Sequence, residues 1–309
     1  MDVSVIIPNY CHAPYLKERI DSVLNQTFRD FEVIILDDCS SDASREVIER
    51  YRSHPQVAQI VYNRTNSGSP FLQWQRGFAL ARGRYVWIAE SDDVAEPTFL
   101  EACVAQLERN PKAVLAFTDC RYIDRNSKPL GVTDFSRQLA RHRGGETLFG
   151  EQTFFRRLLY MNYVQNASMA LFRKEALPAD KTYATFRYVG DWLFWLGVAR
   201  RGEVVYIDRP LDLFRRHAES TTQKSTAGGR NYLEILRLLQ YVLPQAGLSA
   251  PFRAFIFGKF LVRLDRDLRK EEKGDETAAV RRAWREAVPH PVRCVVWYRI
   301  AKILRIYPL

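Results

Sequence analysis

The segments VSVIIPNY, residues 3–10, and VIILDDCSSD, residues 33–42, indicate the fold. Each is a run of β-branched and aliphatic residues that ends in polar residues, as a buried strand followed by a loop does. Between them, apolar residues recur at helical spacing from Tyr15 to Leu24. Strands that alternate with helices are typical of βαβ units around a parallel sheet. The sequence therefore predicts an α/β fold.

The alternation of strands and helices continues to residue 118. Further strands are predicted at residues 32–36, 58–62, 84–89 and 113–118, with helices at 70–81 and 97–109 and one that begins near Ser41. Beyond Asp119 the pattern predicts a hairpin near residues 125–129, a basic loop at 137–145, and helices near 152–162 and 192–200. After Thr222 the chain is helical and charged.

Composition excludes several classes of protein. The chain has 309 residues, of which 47% are apolar and 27% charged, so a globular fold is expected. No run of about 18 apolar residues predicts a membrane span, and the start lacks the pattern of a signal peptide. Five widely spaced cysteines without a CxxC pair argue against zinc ribbons and disulfide scaffolds. We therefore expect a cytoplasmic protein.

The net charge of +10 predicts an acidic partner, which is nucleic acid, an anionic membrane or a phosphorylated substrate. The positive charge is concentrated in the tail. Between residues 281 and 309 one acidic residue, Glu286, is accompanied by seven basic residues: Arg281, Arg282, Arg285, Arg293, Arg299, Lys302 and Arg305. No recognised nucleic-acid-binding motif accompanies them, so a nucleic-acid-binding protein is the weaker alternative.

Polar residues follow each predicted strand, where a parallel sheet places its ligand. The four loops begin with Asn9-Tyr10, Asp37-Asp38, Asn63-Arg64 and Glu90-Ser91-Asp92-Asp93. Clustered carboxylates repel one another, and a divalent cation that bridges to a phosphorylated ligand relieves this repulsion. The first of these loops contains no glycine, which excludes dinucleotide-binding dehydrogenases and P-loop NTPases.

The same segments resemble glycosyltransferase family 2. The resemblance rests on VSVIIPNY, SVLNQTF at 22–28, VIILDDCSSD and GRYVWIAESDD at 83–93, and continues through GDW at 190–192 and LDLFRRH at 211–217. It implies a GT-A fold with a Rossmann-like, mostly parallel sheet flanked by helices and a helical C-terminal extension. It also implies a nucleotide-diphosphate sugar donor, with UDP or dTDP favoured, a Mn²⁺ or Mg²⁺ cofactor, and inversion at the anomeric carbon.

The resemblance also implies roles for individual residues. Asp191 would be the catalytic base, and Asp93 and His217 would bind the metal. The donor site would comprise Pro8, Asn9, Tyr10, Asp38, Arg64, Asp92, Arg216 and His217, with Asp38 accepting a hydrogen bond from the base. We expect a catalytic domain at 1–222, divided into a nucleotide-binding half at 1–118 and an acceptor half at 119–222, and a basic helical region at 223–309.

Some positions depart from the family pattern. Glu90 stands where an aspartate is common, Trp74-Gln75 where an Arg-Asn pair is common, and Gly190 precedes Asp191 where a second acid is common. No Gln-x-x-Arg-Trp signature follows, which argues against a processive synthase. We expect transfer of one sugar to a hydroxyl of a glycan or lipid-linked glycan. A sugar nucleotidyltransferase is the alternative enzyme, but it needs a glycine-rich phosphate loop after the first strand.

The tail itself predicts an amphipathic helix. Val292, Val296, Ile300, Ile303 and Tyr307 share one helical arc, while Arg299, Lys302 and Arg305 project from other sides. Two interpretations remain open. The helix holds the enzyme on the inner face of an anionic membrane, or it packs on the catalytic domain with its basic side in water.

Overall fold

The computed structural model describes residues 1–132, 139, 144–216, 229–269 and 275–307. His217 and most of the basic loop expected at 137–145 lie outside the described residues. Within the described part of the chain, ten strands form one mixed sheet with helices on both faces. The predicted α/β class is therefore confirmed.

The first part of the chain follows the predicted alternation to within a few residues. Its elements are β1 (Val3–Asn9), α1 (Ala13–Leu24), β2 (Phe31–Asp37), α2 (Ser44–Glu49), β3 (Val57–Tyr62), α3 (Pro70–Leu80), β4 (Tyr85–Ile88), β5 (Val94–Ala95) and α4 (Phe99–Arg109). Every residue of β1 and β2 is buried, because helices cover both faces of the sheet at this point.

The second part is less regular. It comprises β6 (Ala113–Ile123), β7 (Pro129–Val132), β8 (Glu146–Phe149), α5 (Glu151–Tyr160), β9 (Ala170–Arg173), α6 (Gly190–Ala199) and β10 (Glu203–Arg215). The predicted hairpin is confirmed, since β6 and β7 pair antiparallel. The C-terminal region consists of α7 (Arg230–Gln245), α8 (Ala250–Leu268), α9 (Asp275–Ala287) and α10 (Pro291–Ile303).

The strand order is β3-β2-β1-β4-β9-β6-β10-β5, with β7 beside β6 and β8 beside β10. Strands β1 to β4 are mutually parallel, so their carboxyl ends meet at one edge of the sheet. Strand β9 enters antiparallel between β4 and β6. It brings the residues that precede it, at 166–169, against the carboxyl end of β4.

Two hydrophobic clusters cover the two faces of the sheet. Helices α1, α2 and α4 form one cluster with alternate residues of β1 and β2. Helices α3, α5, α6 and the four C-terminal helices form the other, so the C-terminal region packs directly on the sheet domain. Trp192, Phe194 and Trp195 of α6 are buried there, as core residues rather than as an exposed sugar platform.

The last helix packs by one side only. In α10, Cys294, Tyr298 and Ala301 are buried, and the approach of α8 is so close that a Cβ on Gly258 would lie 2.1 Å from the Cys294 carbonyl oxygen. Four residues of the predicted apolar arc, at 292, 296, 300 and 303, face away from this contact. Among the described residues, no helix is both long enough and apolar enough to cross a bilayer.

Candidate active site

The ends of β1 and β2 are joined by a polar network. The Asn9 side-chain amide donates to Asp37 Oδ1 at 2.8 Å and to Ser40 Oγ at 3.1 Å. Between these loops, Cys11 adopts a left-handed φ of 55°, a conformation that glycine and asparagine adopt more readily. Pro8 is buried beneath the network, whereas the Tyr10 ring is half-exposed at the edge of the sheet. A planar base can therefore reach Tyr10 from solvent.

Asp38, expected to contact the base, is almost completely buried. Its carboxylate accepts hydrogen bonds from the Asn63 and Gln73 amides at 2.5 and 2.8 Å, and from the Ser67 hydroxyl at 2.7 Å. These contacts tie the β2 loop to the β3 loop and to α3. A base N–H would therefore have to displace one of these donors. Arg64 lies exposed in the β3 loop.

Trp74 and Glu90, two residues that differ from the family pattern, contact each other. The Trp74 indole N–H donates to the Glu90 carboxylate at 2.9 Å. Burial, and then the charges of Asp92 and Asp93, raise the pKa of Glu90 to about 8. A protonated or strongly hydrogen-bonded Glu90 thus occupies the position at which the family has an aspartate. The indole and the longer acid fill this position together.

Asp93, expected on the metal, is 1% exposed. Its Oδ2 accepts from the Asn166 amide at 2.5 Å and the Ser168 hydroxyl at 2.8 Å, and its Oδ1 accepts from the Arg215 backbone N–H at 3.0 Å. Both oxygens are therefore used inside the fold. To bind a metal ion, the Asp93 carboxylate would have to release at least one of these hydrogen bonds. Asp92, next to it, is partly exposed.

Two buried arginines hold the Glu90 to Asp93 loop in place. Arg19 Nε donates to the Glu90 carbonyl at 2.8 Å, and its guanidinium lies 3.8 and 3.9 Å from the carboxylates of Asp93 and Asp212. Arg215 Nε donates to the Asp92 carbonyl at 2.6 Å. Sequence reasoning missed Arg19 and Asp212, because no local pattern marks a residue whose partners are this distant in sequence.

Arg216, expected at the diphosphate, is half-buried at the end of β10. Its guanidinium lies 4.5 Å above the centre of the Tyr122 ring and 4.9 Å from that of Phe214. Cation–π contacts with the two rings hold the Arg216 guanidinium near the carboxyl edge of the sheet.

Asp191 is the second residue of α6 and is partly exposed. Its Oδ2 accepts a hydrogen bond from the Asn162 amide at 3.1 Å. Burial raises the pKa of Asp191 to about 7, and the Glu234 charge contributes to this rise, although hydrogen bonds from Trp192 and Asn162 oppose it. A carboxylate with this pKa is suited to accept a proton near neutral pH.

The loop before Asp191 is fixed from two sides. The carboxylate of Glu234, on α7, accepts hydrogen bonds from the backbone N–H groups of Arg187, Tyr188 and Val189 at 2.8, 2.6 and 3.1 Å. A Cβ on Gly190 would lie 2.4 Å from the Tyr183 carbonyl oxygen and 2.5 Å from the Phe71 ring. A second acid before Asp191 is thus excluded by packing.

The acidic loop at residues 90–93 fits a divalent cation that substrate phosphates also bind. In the part of the chain that the structure describes, no three His, Cys, Asp or Glu side chains are grouped so that they could hold a metal ion by themselves. Magnesium and manganese sites in phosphate-handling enzymes need fewer protein ligands, since substrate phosphates complete the shell. A partly exposed Asp92 beside two further acids fits a site of that kind.

The sequence matches Glycosyl transferase family 2 over residues 4–178. The chain belongs to this family. It is therefore a transferase that moves glycosyl groups. An uncharacterized glycosyltransferase of Haemophilus influenzae is 26% identical over 225 residues, which cover 71% of this chain and 67% of the relative.

Other relatives of the glycosyltransferase match less than half of its length. Chondroitin synthase of Escherichia coli is 36% identical over 124 residues, 40% of this chain and 18% of the relative. The poly(ribitol-phosphate) beta-N-acetylglucosaminyltransferase TarS of Staphylococcus aureus is 33% identical over 119 residues, 37% of this chain and 20% of the relative. These matches thus cover only a small part of much longer proteins.

Solved structures resemble the glycosyltransferase over nearly its whole length. Residues 1–349 of S. aureus TarS in complex with UDP-GlcNAc superpose with a TM-score of 0.71 at 19% identity, covering 94% of this chain and 82% of that one. A mannosyltransferase of Pyrobaculum calidifontis in complex with GDP-Man and Mn²⁺ gives a TM-score of 0.53 at 15% identity, covering 97% and 86%. The expected GT-A fold, including the helical C-terminal region, is therefore confirmed.

Proposed function

We propose that the protein transfers one sugar from a nucleotide-diphosphate donor to a hydroxyl of a glycan or lipid-linked glycan, with inversion at the anomeric carbon. The observation that carries the proposal is Asp191, a partly exposed carboxylate at the start of α6 whose pKa is raised to about 7. A base must be ionised at working pH and still bind a proton readily, which this value allows.

Asp191 performs the proton transfer. Its carboxylate takes the proton from the acceptor hydroxyl while the hydroxyl oxygen bonds to the anomeric carbon on the face opposite the leaving group. The bond between that carbon and the phosphate oxygen breaks, and the nucleotide diphosphate departs with the electron pair. Asn162 orients the carboxylate through its 3.1 Å hydrogen bond, and Glu234 orients the preceding loop.

The donor lies across the carboxyl ends of β1 to β4. Tyr10 and Pro8 line the base pocket, Asn9 and Asp38 shape the two loops beneath it, and Arg64 reaches it from the β3 loop. UDP and dTDP are favoured because uracil and thymine present an N–H to Asp38, and the UDP-GlcNAc complex of TarS supports a uridine nucleotide.

Asp92, instead of the Asp93 expected from the resemblance, would hold a divalent ion, Mn²⁺ or Mg²⁺, at the diphosphate. The two hydrogen-bonded oxygens of Asp93 leave Asp92 as the accessible carboxylate of the pair. Arg216 remains assigned to the diphosphate, and His217, outside the described residues, to the diphosphate or the metal. When bound, the ion neutralises charge on the leaving diphosphate.

We assign a different role to each of three parts of the chain. Residues 1–118 hold the nucleotide, residues 119–222 carry Asp191 and the acceptor side, and residues 223–309 are a basic region whose described part is helical. The exposed apolar side of α10 and its basic residues support attachment of the enzyme to the inner face of an anionic membrane, where a lipid-linked acceptor lies. Assembly of bacterial surface polysaccharide is the setting.

A thermal-shift screen of UDP-, dTDP- and GDP-sugars, with Mn²⁺, Mg²⁺ or a chelator, tests the donor and the metal together. A ligand that binds the folded state raises the melting temperature with the logarithm of its concentration over its Kd. We expect a shift with a uridine or thymidine diphosphate sugar that requires the metal. A screen without any metal-dependent shift, in protein that hydrolyses none of these donors, would contradict the proposed function.

A further inference from the structure

A cavity of about 620 Å³ lies between α8, α10 and the end of α5. Five basic side chains line it: Lys259, Arg263, Arg266, Lys302 and Arg305. Among the described residues that line it, none is Asp or Glu, and the remaining polar groups come from three tyrosines. The wall is therefore positive and suited to an anion.

Lys259 lies deepest in this wall, with 8% of its surface exposed. Its ammonium group donates to the Tyr160 carbonyl at the end of α5 and lies 3.8 Å from the centre of the Phe260 ring. Among the described residues it forms no ion pair with a carboxylate. Burial and the charges of Arg263 and Arg266 lower the pKa of Lys259. Burial without a counter-ion disfavours the charged form of Lys259, and an anion in the cavity would favour that form.

The other cations are only partly neutralised. Arg263 and Arg266 share Asp267, which lies 3.4 and 2.9 Å from them and is not part of the cavity wall. Lys302 and Arg305 are exposed, and neither forms an ion pair within the described part of the chain. The cavity therefore keeps a net positive charge.

The cavity adjoins the proposed base through the end of α5. Tyr160 and Met161 line the cavity, and the next residue, Asn162, donates to Asp191. Consecutive Cα atoms are about 3.8 Å apart, so a single peptide unit separates the cavity wall from the residue that holds the base. The cavity and the proposed base therefore flank the same segment at the end of α5.

We propose that this cavity binds a phosphate or diphosphate group of the acceptor. The inference rests on the proposed function and narrows it, because the acceptor is then a phosphorylated glycan carrier instead of a neutral glycan. Arginine suits this ligand, since its planar guanidinium donates two parallel hydrogen bonds to phosphate oxygens. The tyrosine hydroxyls supply further donors.

Binding can be measured without catalysis. Protein saturated with UDP and Mn²⁺, so that its donor site is filled, is titrated with inorganic pyrophosphate by calorimetry. The variant Lys302→Glu/Arg305→Glu reverses two exposed charges of the wall and leaves the buried Lys259 in place. The control Arg282→Glu/Arg285→Glu makes the same change in net charge on the exposed side of α9.

We expect the wall variant to weaken pyrophosphate binding by about tenfold or more, because it loses hydrogen bonds between charged groups. The control should bind pyrophosphate as wild type does. Equal weakening in both variants would mean that only net charge matters and would overturn the proposal. Unchanged binding in the wall variant would overturn it too.

Transfer assays separate this inference from the proposed function. Wild-type enzyme is offered sugar 1-phosphates and the matching octyl glycosides. We expect a lower KM for the phosphorylated acceptors, and loss of that preference in the wall variant with donor hydrolysis by water unchanged. Equal use of both acceptor types would refute the phosphate cavity and leave the glycosyltransferase assignment intact. No transfer and no donor hydrolysis would refute the proposed function itself.

A phospholipid headgroup is the other source of phosphate. Vesicles of phosphatidylglycerol, compared with phosphatidylcholine, distinguish it. If the wall variant loses vesicle binding but still binds pyrophosphate, the cavity serves lipid headgroups and the acceptor assignment is wrong. If it loses pyrophosphate binding and still binds the vesicles, the acceptor assignment holds.

Discussion

The donor edge and the acceptor side of this glycosyltransferase are built in different ways. The donor edge consists mainly of loops that directly follow β1 to β4 and end by residue 93, with Arg216 added from the end of β10. The acceptor side is assembled from α5, α6, α7 and α8, whose residues meet only through packing. Parallel strands thus bring their loops together because the strands end at one edge of the sheet. Helices packed on the sheet are positioned instead by the contacts of their buried side chains.

Two carboxylates illustrate the difference. Asp93 lies in the donor loop, and three hydrogen bonds hold it inside the protein. Asp191 accepts one side-chain hydrogen bond, from Asn162, and is partly exposed. Burial raises the pKa of both carboxyl groups. Access to solvent, and not the direction of the pKa shift, separates the structural acid from the proposed catalytic one.

The largest effect is expected at the acceptor side, from Asp191→Asn. Turnover should fall by about 10²- to 10⁴-fold, the usual contribution of a positioned base, with the donor Kd unchanged. In wild type, turnover should decline as the pH falls through about 7, because Asp191 becomes protonated. The variant should lack this decline. Steady-state kinetics from pH 5 to 9 measure both effects.

Asp265→Asn, which removes an exposed carboxylate from α8, is the control and should match wild type. A parallel loss of donor affinity and turnover in Asp191→Asn would instead identify Asp191 as a structural residue of α6.

At the donor edge, Asp92→Asn and Asp93→Asn should have different effects. Loss of a metal ligand should weaken Mn²⁺-dependent donor binding by at least about 10–100-fold, since loss of a residue that only hydrogen-bonds to a metal ligand already costs that much. We expect this from Asp92→Asn, with a smaller loss of stability than in Asp93→Asn. Asp93→Asn should destabilise the fold by about 1–3 kcal/mol, because its amide cannot accept from all three donors. The opposite pattern would restore Asp93 as the metal ligand.

The same contrast explains how much could be predicted from the sequence. Strands β1 to β4 and the loops after them were predicted within a few residues, because periodicity and polar strand ends are local signals. The burial of Asp93 was not predictable from local signals. Asn166 and Ser168 contact it only because the strand that follows them, β9, pairs antiparallel with β4. Glu234 and Lys259 carry no local signal either, because each acts on a loop or helix end far away in the chain.

Glu234→Gln tests whether the C-terminal region positions the base. The neutral amide should hold the backbone N–H groups of residues 187–189 less strongly and lower turnover by about two- to tenfold, the equivalent of one weakened hydrogen bond. Loss of its negative charge should also lower the pKa of Asp191, so the acidic limb of the pH profile should move to lower pH. Kinetics at several pH values measure both changes.

Glu276→Gln on α9, which loses only the exposed pair with Arg230, is the matched control. An unshifted acidic limb in Glu234→Gln, with wild-type turnover, would show that the base does not depend on α7.

The structure of the C-terminal helix bears on the two interpretations of its sequence, membrane attachment and packing on the catalytic domain. Val292, at 75% exposed, and Ile303, at 79%, lie with Val296 and Ile300 on the exposed side of α10. Tyr307 departs from the predicted arc and packs against Phe255, at 4.9 Å between ring centres. The opposite side of the helix is buried against α8, so the helix both packs on the domain and presents an apolar stripe.

The smallest effect on turnover is expected from this stripe. Deleting the helix would uncover the α8 core, so point substitutions are the proper test: Val292→Ser, Val296→Ser, Ile300→Ser and Ile303→Ser together. These side chains are exposed, so stability and turnover on a soluble acceptor should not change. Sedimentation with phosphatidylglycerol liposomes should fall, because apolar burial and about 1 kcal/mol for each nearby basic residue act together.

Arg293→Gln/Arg299→Gln should reduce liposome binding at low salt and have little effect at high salt, where charges are screened. Full liposome binding by the serine variant would contradict membrane attachment through α10 and leave packing on the domain as its function.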